Sequence, residues 1–410
     1  MTTAGQVVHA NAGTRSTAAP GQLVSLPLQK IAGFFFIYRM GLTYLGFQAD
    51  PRTGTIVNLT CSALILCAAL LYTVGGGQFS ARFLFSSRTV LWLLGYLAVS
   101  GLSLFWTAAS SVTDAAGLWS GMAMEVAIVL LLVKPPNATA QLDALMKGFV
   151  AGMLFMAAVA WMAPTMPDLR IGNEEFLHPN AIGLGCAMGF FFAQHLGLEK
   201  RVWRWCCLAF GITLLRSISK TSIIAFAIAE TIYLLREKQI SRGLKIRIAA
   251  VAVVIFAIFG TLLDTYLTTY TAAGDGNTAE TLTGRTLIWS TAITMAVEHP
   301  WIGHGFYSFR ALMPAFGTFE AWHAHNELLQ QFFEYGALGV AVTVGLYLSL
   351  MFAAKRSSAG RYRKLIFVVV LFSLIHGLTE ALIFDLAVPL WLLAAFAIVL
   401  QQPSQEATAS

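Results

Sequence analysis

The sequence predicts an all-α integral membrane protein with about twelve transmembrane helices and a large loop, carrying short amphipathic helices, between the ninth and tenth spans. Hydrophobic residues make up 57% of the 410 residues and charged residues only 11%, whereas soluble domains average about 25% charged residues. The mean hydropathy of +0.70 agrees with this composition. Apolar runs long enough to cross a bilayer, about 20 residues each, recur from one end of the chain to the other.

These apolar runs define the predicted spans. They lie at residues 31–49, 55–75, 89–107, 115–133, 146–164, 179–198, 202–218, 221–235, 246–264, 327–353, 365–384 and 387–401. The sequence therefore predicts a single polytopic membrane domain, residues 31–402, with an N-terminal tail at 1–30 and a C-terminal tail at 403–410. The gap between the ninth and tenth spans leaves an extramembrane insertion, residues 265–326.

Lys and Arg residues concentrate in alternate loops, and loops of this kind stay in the cytoplasm. The bias predicts that both termini are cytoplasmic and that, in a bacterium, the insertion faces the periplasm from the inner membrane. The pI near 9.1 reflects this topology and indicates no nucleic-acid partner. The outward side has few cations, namely Arg52, Arg170, Arg216, Lys220, Arg285 and Arg310.

The insertion contains a helical pattern from Arg285 to about His299, in which Leu287, Ile288, Thr291, Ile293 and Met295 give a partly apolar face. Thr283 is the expected N-cap and Pro300 the expected stop. A turn follows at 300–307, and then a second short helix at 308–316. An aromatic-rich amphipathic helix of this kind is expected to lie at the membrane interface or to cap a cavity between spans.

Histidine exchanges protons near neutral pH, and several histidines fall in or near the insertion. An interfacial histidine is more commonly a hydrogen-bonded structural residue, and we favour that role for His299, His304 and His323, although His323 is also a candidate substrate contact. His325 is different because it is paired with Asn326 at the foot of a long apolar segment. We therefore interpret His325 as a candidate general base.

The outward cations provide the positive charge that a departing diphosphate needs. Arg216 and Lys220 are four residues apart, so on one helix they would share a face. Arg285 begins the helix of the insertion. A basic side chain at this depth also serves as a headgroup anchor, a role equally compatible with Arg216 and Arg310. We favour a functional role for Lys220 and Arg285.

No metal or cofactor is predicted. Transferases that use a divalent ion hold it with closely spaced acidic residues, and the outward loops contain no such Asp-x-Asp pair. The nearest substitute is the run 173–175, Asn-Glu-Glu, where we do not expect a metal. All five cysteines lie in predicted spans, which indicates neither a disulfide nor a metal framework.

Further side chains are candidates for substrate binding at the outer face. His178 and Asn180 lie in an outward loop, and Trp289 and Trp322 would suit stacking on sugar rings or a membrane aromatic belt. Asn326 completes this set. His376 and Glu380 are four residues apart within a predicted span, where they would line a cavity or satisfy each other.

Residues 205–385 carry several ordered motifs. They are Ser219-Lys-Thr-Ser222, Gly284-Arg-Thr-Leu-Ile-Trp289, His299-Pro-Trp-Ile-Gly303-His-Gly305, and His325-Asn326 followed by Gly336 and Gly339. The set resembles the signature of the O-antigen ligase and polysaccharide polymerase family, and the loop His178-Pro-Asn180 is similar to a second outward motif of that family.

This resemblance implies metal-independent transfer of a glycan from undecaprenyl diphosphate at the periplasmic face. His325 matches the family's base, and Arg285 matches one of two arginines that bind diphosphate. Lys220 stands where the other arginine falls, a departure for which Arg216 could compensate. Lysine at that turn, together with His178, resembles the exopolysaccharide polymerase branch.

Three functions therefore remain open. A polymerase would join lipid-linked repeat units, with flippase and chain-length regulator proteins as partners. A ligase would move a finished glycan to a lipid A-core acceptor. A transporter for such glycans would be expected to have polar residues near the membrane midplane and broken spans in two matching halves, whereas here the polar residues gather at one face.

Overall fold

A computed structural model describes residues 20–46, 51–75, 85–163, 166, 170–172, 177–197, 201–237, 241–247, 249–250, 253–254, 282–316, 320–382 and 385–401. The predicted N-terminal tail (apart from residues 20–30), the C-terminal tail, most of the ninth predicted span, residues 173–176 and the first part of the insertion lie outside the described residues. The described residues are overwhelmingly α-helical. The predicted all-α class is confirmed.

The helices are named in chain order. They are α1 (Pro20–Gly46), α2 (Pro51–Gly75), α3 (Arg88–Leu102, continued by a 3₁₀ turn at Ser103–Phe105), α4 (Val112–Leu132), α5 (Ala138–Met162), α6 (Pro179–Leu196), α7 (Arg201–Arg216), α8 (Lys220–Arg236), α9 (Leu282–Ala296), α10 (Phe309–Leu312), α11 (Glu327–Arg356), α12 (Gly360–Gly377) and α13 (Leu390–Val399). Helix α1 begins inside the segment predicted as a tail.

Five of the described helices are long and apolar enough to cross a membrane. They cover Arg52–Gly75, Arg88–Phe105, Val112–Leu132, Ala138–Met162 and Glu327–Arg356. The protein is therefore of the helical membrane class, while the full number of twelve spans stays a prediction. Helix α13 is only ten residues long, and all ten are buried. A helix that is apolar on every side lies in the interior of a bundle, so α13 belongs to the core.

Small residues allow close packing of α1 against α5. A Cβ atom at Gly148 would overlap the carbonyl of Lys30, and one at Gly33 would overlap the carbonyl of Leu145. Small residues at such contacts are a common way to bring membrane helices together. Within this part of the bundle the guanidinium of Arg39 on α1 pairs with the buried carboxylate of Glu125 on α4.

Helix α11 is broken at Gly336. The backbone there has φ 63° and ψ −157°, a conformation that is essentially restricted to glycine. The sequence predicts an uninterrupted helix over this span, so the break is a departure from that prediction. It leaves backbone groups of α11 without partners inside the helix.

The turn at residues 299–305 satisfies these backbone groups. Backbone hydrogen bonds run from the N–H of His304 to Phe333, of Gly305 to Glu334, of Ala337 to Pro300 and of Leu338 to Trp301, at 2.7–3.2 Å. Gly303 and Gly305 have positive φ angles, and a Cβ atom at Gly303 would overlap the backbone of Glu334. The glycines of two separate motifs therefore meet, and they attach the insertion to α11.

Helix α9 uses one face to pack on the rest of the insertion. Ile288, Ala292 and Ala296 are buried against Phe309 and against Phe333 of α11. The predicted apolar face is only partly buried, because Leu287 and Ile293 are exposed. The helix begins at Leu282, so Thr283 lies inside it, and it ends at Ala296, before Pro300.

The opposite side of this region is apolar and exposed. Leu287 and Ile293 on α9, with Val297 directly after it, continue into Trp301, which is 75% exposed, and Ile302. An apolar strip rich in aromatic residues at the end of membrane helices is typical of the bilayer interface. Helix α9 therefore packs on α11 with one face and leaves the other apolar and exposed, and its position at the membrane interface stays a prediction.

Candidate active site

The N-termini of several helices meet at one end of the bundle. Asn180 in the first turn of α6 contacts both Ser219, the N-cap of α8, and Glu380, which follows α12. His325 precedes α11, and Arg285 lies in the first turn of α9. Helix N-termini carry partial positive charge and exposed N–H groups. This end of the bundle is therefore electrostatically suited to an anion.

Glu380 lies at the centre of the cluster. Its side chain is 2% exposed, and it accepts hydrogen bonds on both oxygens. Oε1 is 2.9 Å from Nδ1 of His325 and 3.3 Å from Nε2 of His323. Oε2 is 2.6 Å from the amide nitrogen of Asn180 and 3.7 Å from a guanidinium nitrogen of Arg285. Four residues from three segments of the chain thus converge on one carboxylate.

The protonation of Glu380 follows from these contacts. Burial alone would raise the pKa of the carboxyl, but His325, His323 and Arg285 outweigh burial and hold the pKa well below its ordinary value. Burial and the neighbouring His325 lower the pKa of His323 to about 3, although Glu380 opposes that change. At neutral pH the cluster therefore contains an ionised carboxylate and a neutral His323.

The hydrogen bonds assign the tautomers of the two histidines. Nδ1 of His325 faces an ionised carboxylate, so it carries the proton, and the lone pair of the neutral ring is on Nε2. His323 accepts the backbone N–H of His325 on Nδ1 at 3.2 Å and donates from Nε2. This bond holds His325 in a left-handed backbone conformation, with φ 49°, which is uncommon for residues other than glycine.

Arg285, which lies beside the carboxylate, is one of three cations at this end of the bundle whose charges act on one another. Burial, followed by the positive charges of Arg170 and Arg285, lowers the pKa of the Lys220 amine. Lys220 is exposed at the first residue of α8, and the side chain of Arg285 is largely covered. The carboxylate therefore joins His325 to Arg285, and the charges of Arg170 and Lys220 belong to the same electrostatic environment.

Comparison with known proteins identifies the family to which this arrangement is related. Residues 205–344 match the family model described as O-Antigen ligase. The predicted resemblance to the O-antigen ligase and polymerase family is confirmed. The matched segment contains Lys220, Arg285 and His325, whereas Asn180 lies before it and Glu380 after it.

A curated relative extends the similarity over most of the chain. The chain is 23% identical over 348 residues to the exopolysaccharide production protein ExoQ of Rhizobium meliloti (strain 1021). The alignment covers 77% of this chain and 75% of the relative. Together with the O-antigen ligase match, this similarity indicates a membrane protein of the glycan-transferring type.

Several residues predicted to contact substrate are engaged with the protein itself. Asn326 caps α11 by accepting the N–H of Leu329 at 3.0 Å and donates to the carbonyl of Leu378 at 3.0 Å. Trp289 donates its indole N–H to the carbonyl of Ala324 at 2.8 Å. These contacts give Asn326 and Trp289 positioning roles, because both hold the segment that carries His325.

The remaining predicted residues take varied positions. His178 caps α6 and accepts the N–H of Asn180 at 3.3 Å, and it is near enough to lower the pKa of His323. Trp322 lies under the guanidinium of Arg310, 3.9 Å from its ring centre. His304 bonds to the carbonyl of Met295 at 3.0 Å, which is the structural role favoured from the sequence.

The condition of one sequence-based interpretation is not met, and one of the two alternatives of another is excluded. Arg216 and Lys220 do not share a helix face, because α7 ends at Arg216 and Ile218 adopts a left-handed conformation with φ 52° before α8 begins. His376 and Glu380 do not satisfy each other. His376 contacts the hydroxyl of Ser222 at 3.2 Å, and α12 ends at Gly377, which turns Glu380 toward His325.

Sequence reasoning assigned no site role to Glu380 or Arg170. The spacing between His376 and Glu380 suggests a continuous helix, and a lone outward arginine resembles a headgroup anchor. The sequence signal that could have found them was the scarcity of charged residues. In so apolar a chain, an acid such as Glu380 and a cation such as Arg170 at predicted outward positions require partners.

His323, His325 and Glu380 are also spaced as a metal site, with one ligand atom from each lying within 4.8 Å of the others. Two histidines and a carboxylate are a set that divalent metals use. The donors here nevertheless already face acceptors, and a divalent cation would displace both histidine bonds and lie close to the charge of Arg285. We therefore interpret the three residues as a hydrogen-bonded cluster.

Proposed function

We propose that the protein transfers glycan from an undecaprenyl-diphosphate-linked oligosaccharide at the periplasmic face of the bacterial inner membrane, and that it polymerises repeat units. The observation that carries the proposal is that His325, with its lone pair on Nε2, and Arg285 contact the same carboxylate, while the charges of Arg170 and Arg285 both act on Lys220. Glycosyl transfer from a diphosphate needs both a base and positive charge.

The proposed reaction is a direct displacement. Nε2 of His325 takes the proton of an acceptor hydroxyl as that oxygen bonds to the anomeric carbon. The bond from this carbon to the diphosphate oxygen breaks, and its electron pair leaves with the lipid diphosphate. Arg285 grips the phosphate oxygens through its planar fork, Lys220 adds a point charge, and the helix N-termini stabilise the developing negative charge. A single displacement inverts the anomeric configuration.

The interfacial position of α9 supports a lipid-linked donor. Its exposed strip and Trp301 would lie at the depth of the headgroups, where the diphosphate of a membrane-anchored polyprenol also lies. The twelve-span topology, with both termini in the cytoplasm and the insertion in the periplasm, completes the proposal and places the site on the side where the glycan is exposed.

The similarity to an exopolysaccharide production protein supports the polymerase. The description of the family model, O-antigen ligase, favours transfer to lipid A-core as the second candidate. Both reactions use the same donor, base and cations, and they differ only in the acceptor.

Product length separates the two functions. We expect purified protein, incubated with its native lipid-diphosphate oligosaccharide alone, to form a ladder of products differing by one repeat unit. A ligase would form no product until lipid A-core is added, and then a single addition. If no product formed either with the donor alone or after lipid A-core is added, glycan transfer itself would be contradicted. We expect the ladder to persist with EDTA, because the proposed chemistry relies on side-chain cations.

Replacing Arg285 with alanine should reduce kcat/KM for the lipid donor by roughly 10- to 100-fold, the range expected for losing a charge-assisted hydrogen bond of about 1.5–3 kcal/mol. Arg285→Lys should recover part of this loss, since it restores charge without the bidentate fork. Steady-state kinetics with varied donor measures the effect.

Arg310→Ala is the matched control for Arg285. Arg310 belongs to the same insertion but pairs with Glu320 at 3.7 Å and is not among the charges that act on Glu380, and we expect its loss to change kcat/KM less than twofold. Equal losses in the two variants would show that Arg285 acts only through the general charge of the insertion.

A further inference from the structure

Glu380 is the most deeply buried member of the site, and neither the family segment nor the relative's name gives it a role. It follows the end of α12, outside the matched residues 205–344. Its carboxylate nevertheless contacts the base, one of the phosphate-binding cations and the start of α6. Such a group requires an explanation, because burying an ionised carboxylate costs several kcal/mol unless its partners compensate.

We propose that Glu380 is the positioning residue of the transfer reaction: it fixes the tautomer and orientation of His325 so that Nε2 is the base. This inference rests on the proposed function and deepens it. Glu380 acts through His325 and does not itself contact the reacting atoms.

The contacts of the carboxylate show why it cannot be the base or nucleophile. Oε1 accepts a hydrogen bond from His325 and contacts His323. Oε2 accepts a hydrogen bond from Asn180 and lies near Arg285. An acceptor hydroxyl would have to displace one of these partners from a group that is 2% exposed. His325 instead has its second ring nitrogen on the side away from the carboxylate, as the geometry of the imidazole ring requires.

A row of hydrogen bonds fixes the carboxylate in turn. Asn180 donates to Glu380, and Ser219 donates to the amide oxygen of Asn180 at 2.9 Å. Ser222 lies 2.9 Å from Ser219, and Nε2 of His376 lies 3.2 Å from Ser222. Each hydroxyl has one proton to donate, so every donor in the row points toward Glu380.

This row gives a physical meaning to two sequence motifs. The Asn of His178-Pro-Asn180 and the serines of Ser219-Lys-Thr-Ser222 hold the carboxylate. The row leads to His376, whose Nδ1 has no partner among the described residues. Ser219, Ser222 and His376 are buried and Asn180 is partly buried, as expected for a support and not for a substrate contact.

The charge of Glu380 also stabilises the protonated form of His325 that base catalysis produces. A carboxylate beside imidazole stabilises the imidazolium that forms when Nε2 takes a proton. The ring of His323 lies 4.1 Å from that of His325, the charges of His178 and Arg285 act on His323, and those of Arg170 and Arg285 act on Lys220; any positive charge near His325 opposes its protonation. Loss of Glu380 would remove the negative charge that offsets these positive charges, so His325 would be harder to protonate.

The decisive test is Glu380→Gln, which keeps the shape but removes the charge. We expect kcat for glycan transfer to fall by roughly 10²- to 10⁴-fold, the range of base catalysis and tautomer control, while KM for the donor changes less than threefold. The acidic limb of the kcat–pH profile should move to lower pH, because the neutral base then persists at lower pH. Glu380→Asp should recover part of the rate.

Controls separate positioning from folding. Glu298→Gln changes an exposed glutamate of the same insertion and should leave kcat and the pH profile unchanged. An unchanged kcat and acidic limb in Glu380→Gln, with His325→Ala inactive, would overturn the inference and leave the proposed function standing. Inactive wild-type protein with every acceptor would instead overturn the proposed function.

A readout independent of activity covers the case in which the Glu380 variants fail to fold. In protein labelled with ¹⁵N-histidine, the spectrum of the wild type at neutral pH should show His325 with its proton on Nδ1, assigned by the signal missing in His325→Asn. A proton on Nε2 of His325 would overturn the inference whatever the enzyme's activity.

Discussion

Replacing His325 with alanine is expected to reduce glycan transfer by at least about 10²-fold, because the acceptor hydroxyl loses its general base. The donor site should survive, since Arg285, Lys220 and Arg170 remain. The measurement is the rate of product formation at saturating donor, together with binding of the lipid diphosphate to each variant. Loss of rate with retained binding is the expected result.

The backbone of His325 calls for a companion variant. Alanine is strained at φ 49°, whereas asparagine tolerates the left-handed region. His325→Asn should therefore be as inactive as His325→Ala but fold as well as the wild type. His299→Ala removes an exposed histidine of the same insertion and should keep full activity. A product ladder that survives in His325→Asn would remove this residue from the role of base.

Gly336→Ala is expected to have the largest effect on stability, lowering the free energy of unfolding by about 3 kcal/mol or more. The backbone conformation of Gly336 alone costs a residue with a Cβ about 1–3 kcal/mol. The Cβ would also overlap the backbone of Trp301 and Ile302, so the turn at 299–305 must move. Thermal unfolding in detergent and the transfer rate measure the two consequences.

Gly95→Ala is the matched control for Gly336. Gly95 lies in the middle of α3, and a Cβ there would meet no atom within 4 Å. Alanine in a regular helix is favoured over glycine by about 1 kcal/mol, so this variant should be as stable as the wild type or more stable. Equal stability of Gly336→Ala and the wild type would show that α11 does not need its break.

Much of the fold could be predicted from composition alone. Apolar runs predict the helices because only backbone that bonds within its own segment can cross a membrane. Boundaries were less accurate where a cap decides them: α12 ends at Gly377, earlier than its apolar run. The break at Gly336 could not be predicted, because the compensating hydrogen bonds come from the turn at 299–305, more than thirty residues earlier.

The candidate site was only partly accessible from the sequence. His325, Arg285 and Lys220 could be selected because polar side chains at the outer end of apolar spans are few. Asn326 and Trp289 were expected to bind substrate, yet their polar atoms bond to the protein. Glu380 could not be assigned a role, since its partners come from α6, α9 and the segment before α11, and only the packing of these elements brings them together.

The attachment of the insertion to α11 uses main-chain groups, with glycines at its closest contacts. The exposed side chains of Trp301 and Ile302 take no part in it, whereas the buried His304 packs on Phe333 of α11. Relatives of this protein can therefore change Trp301 and Ile302, and with them the surface offered to different lipids or sugars, while the register between the insertion and the membrane helices is kept. The expected evolutionary pattern is fixed glycines and a fixed spacing between them, within a segment whose exposed residues drift freely.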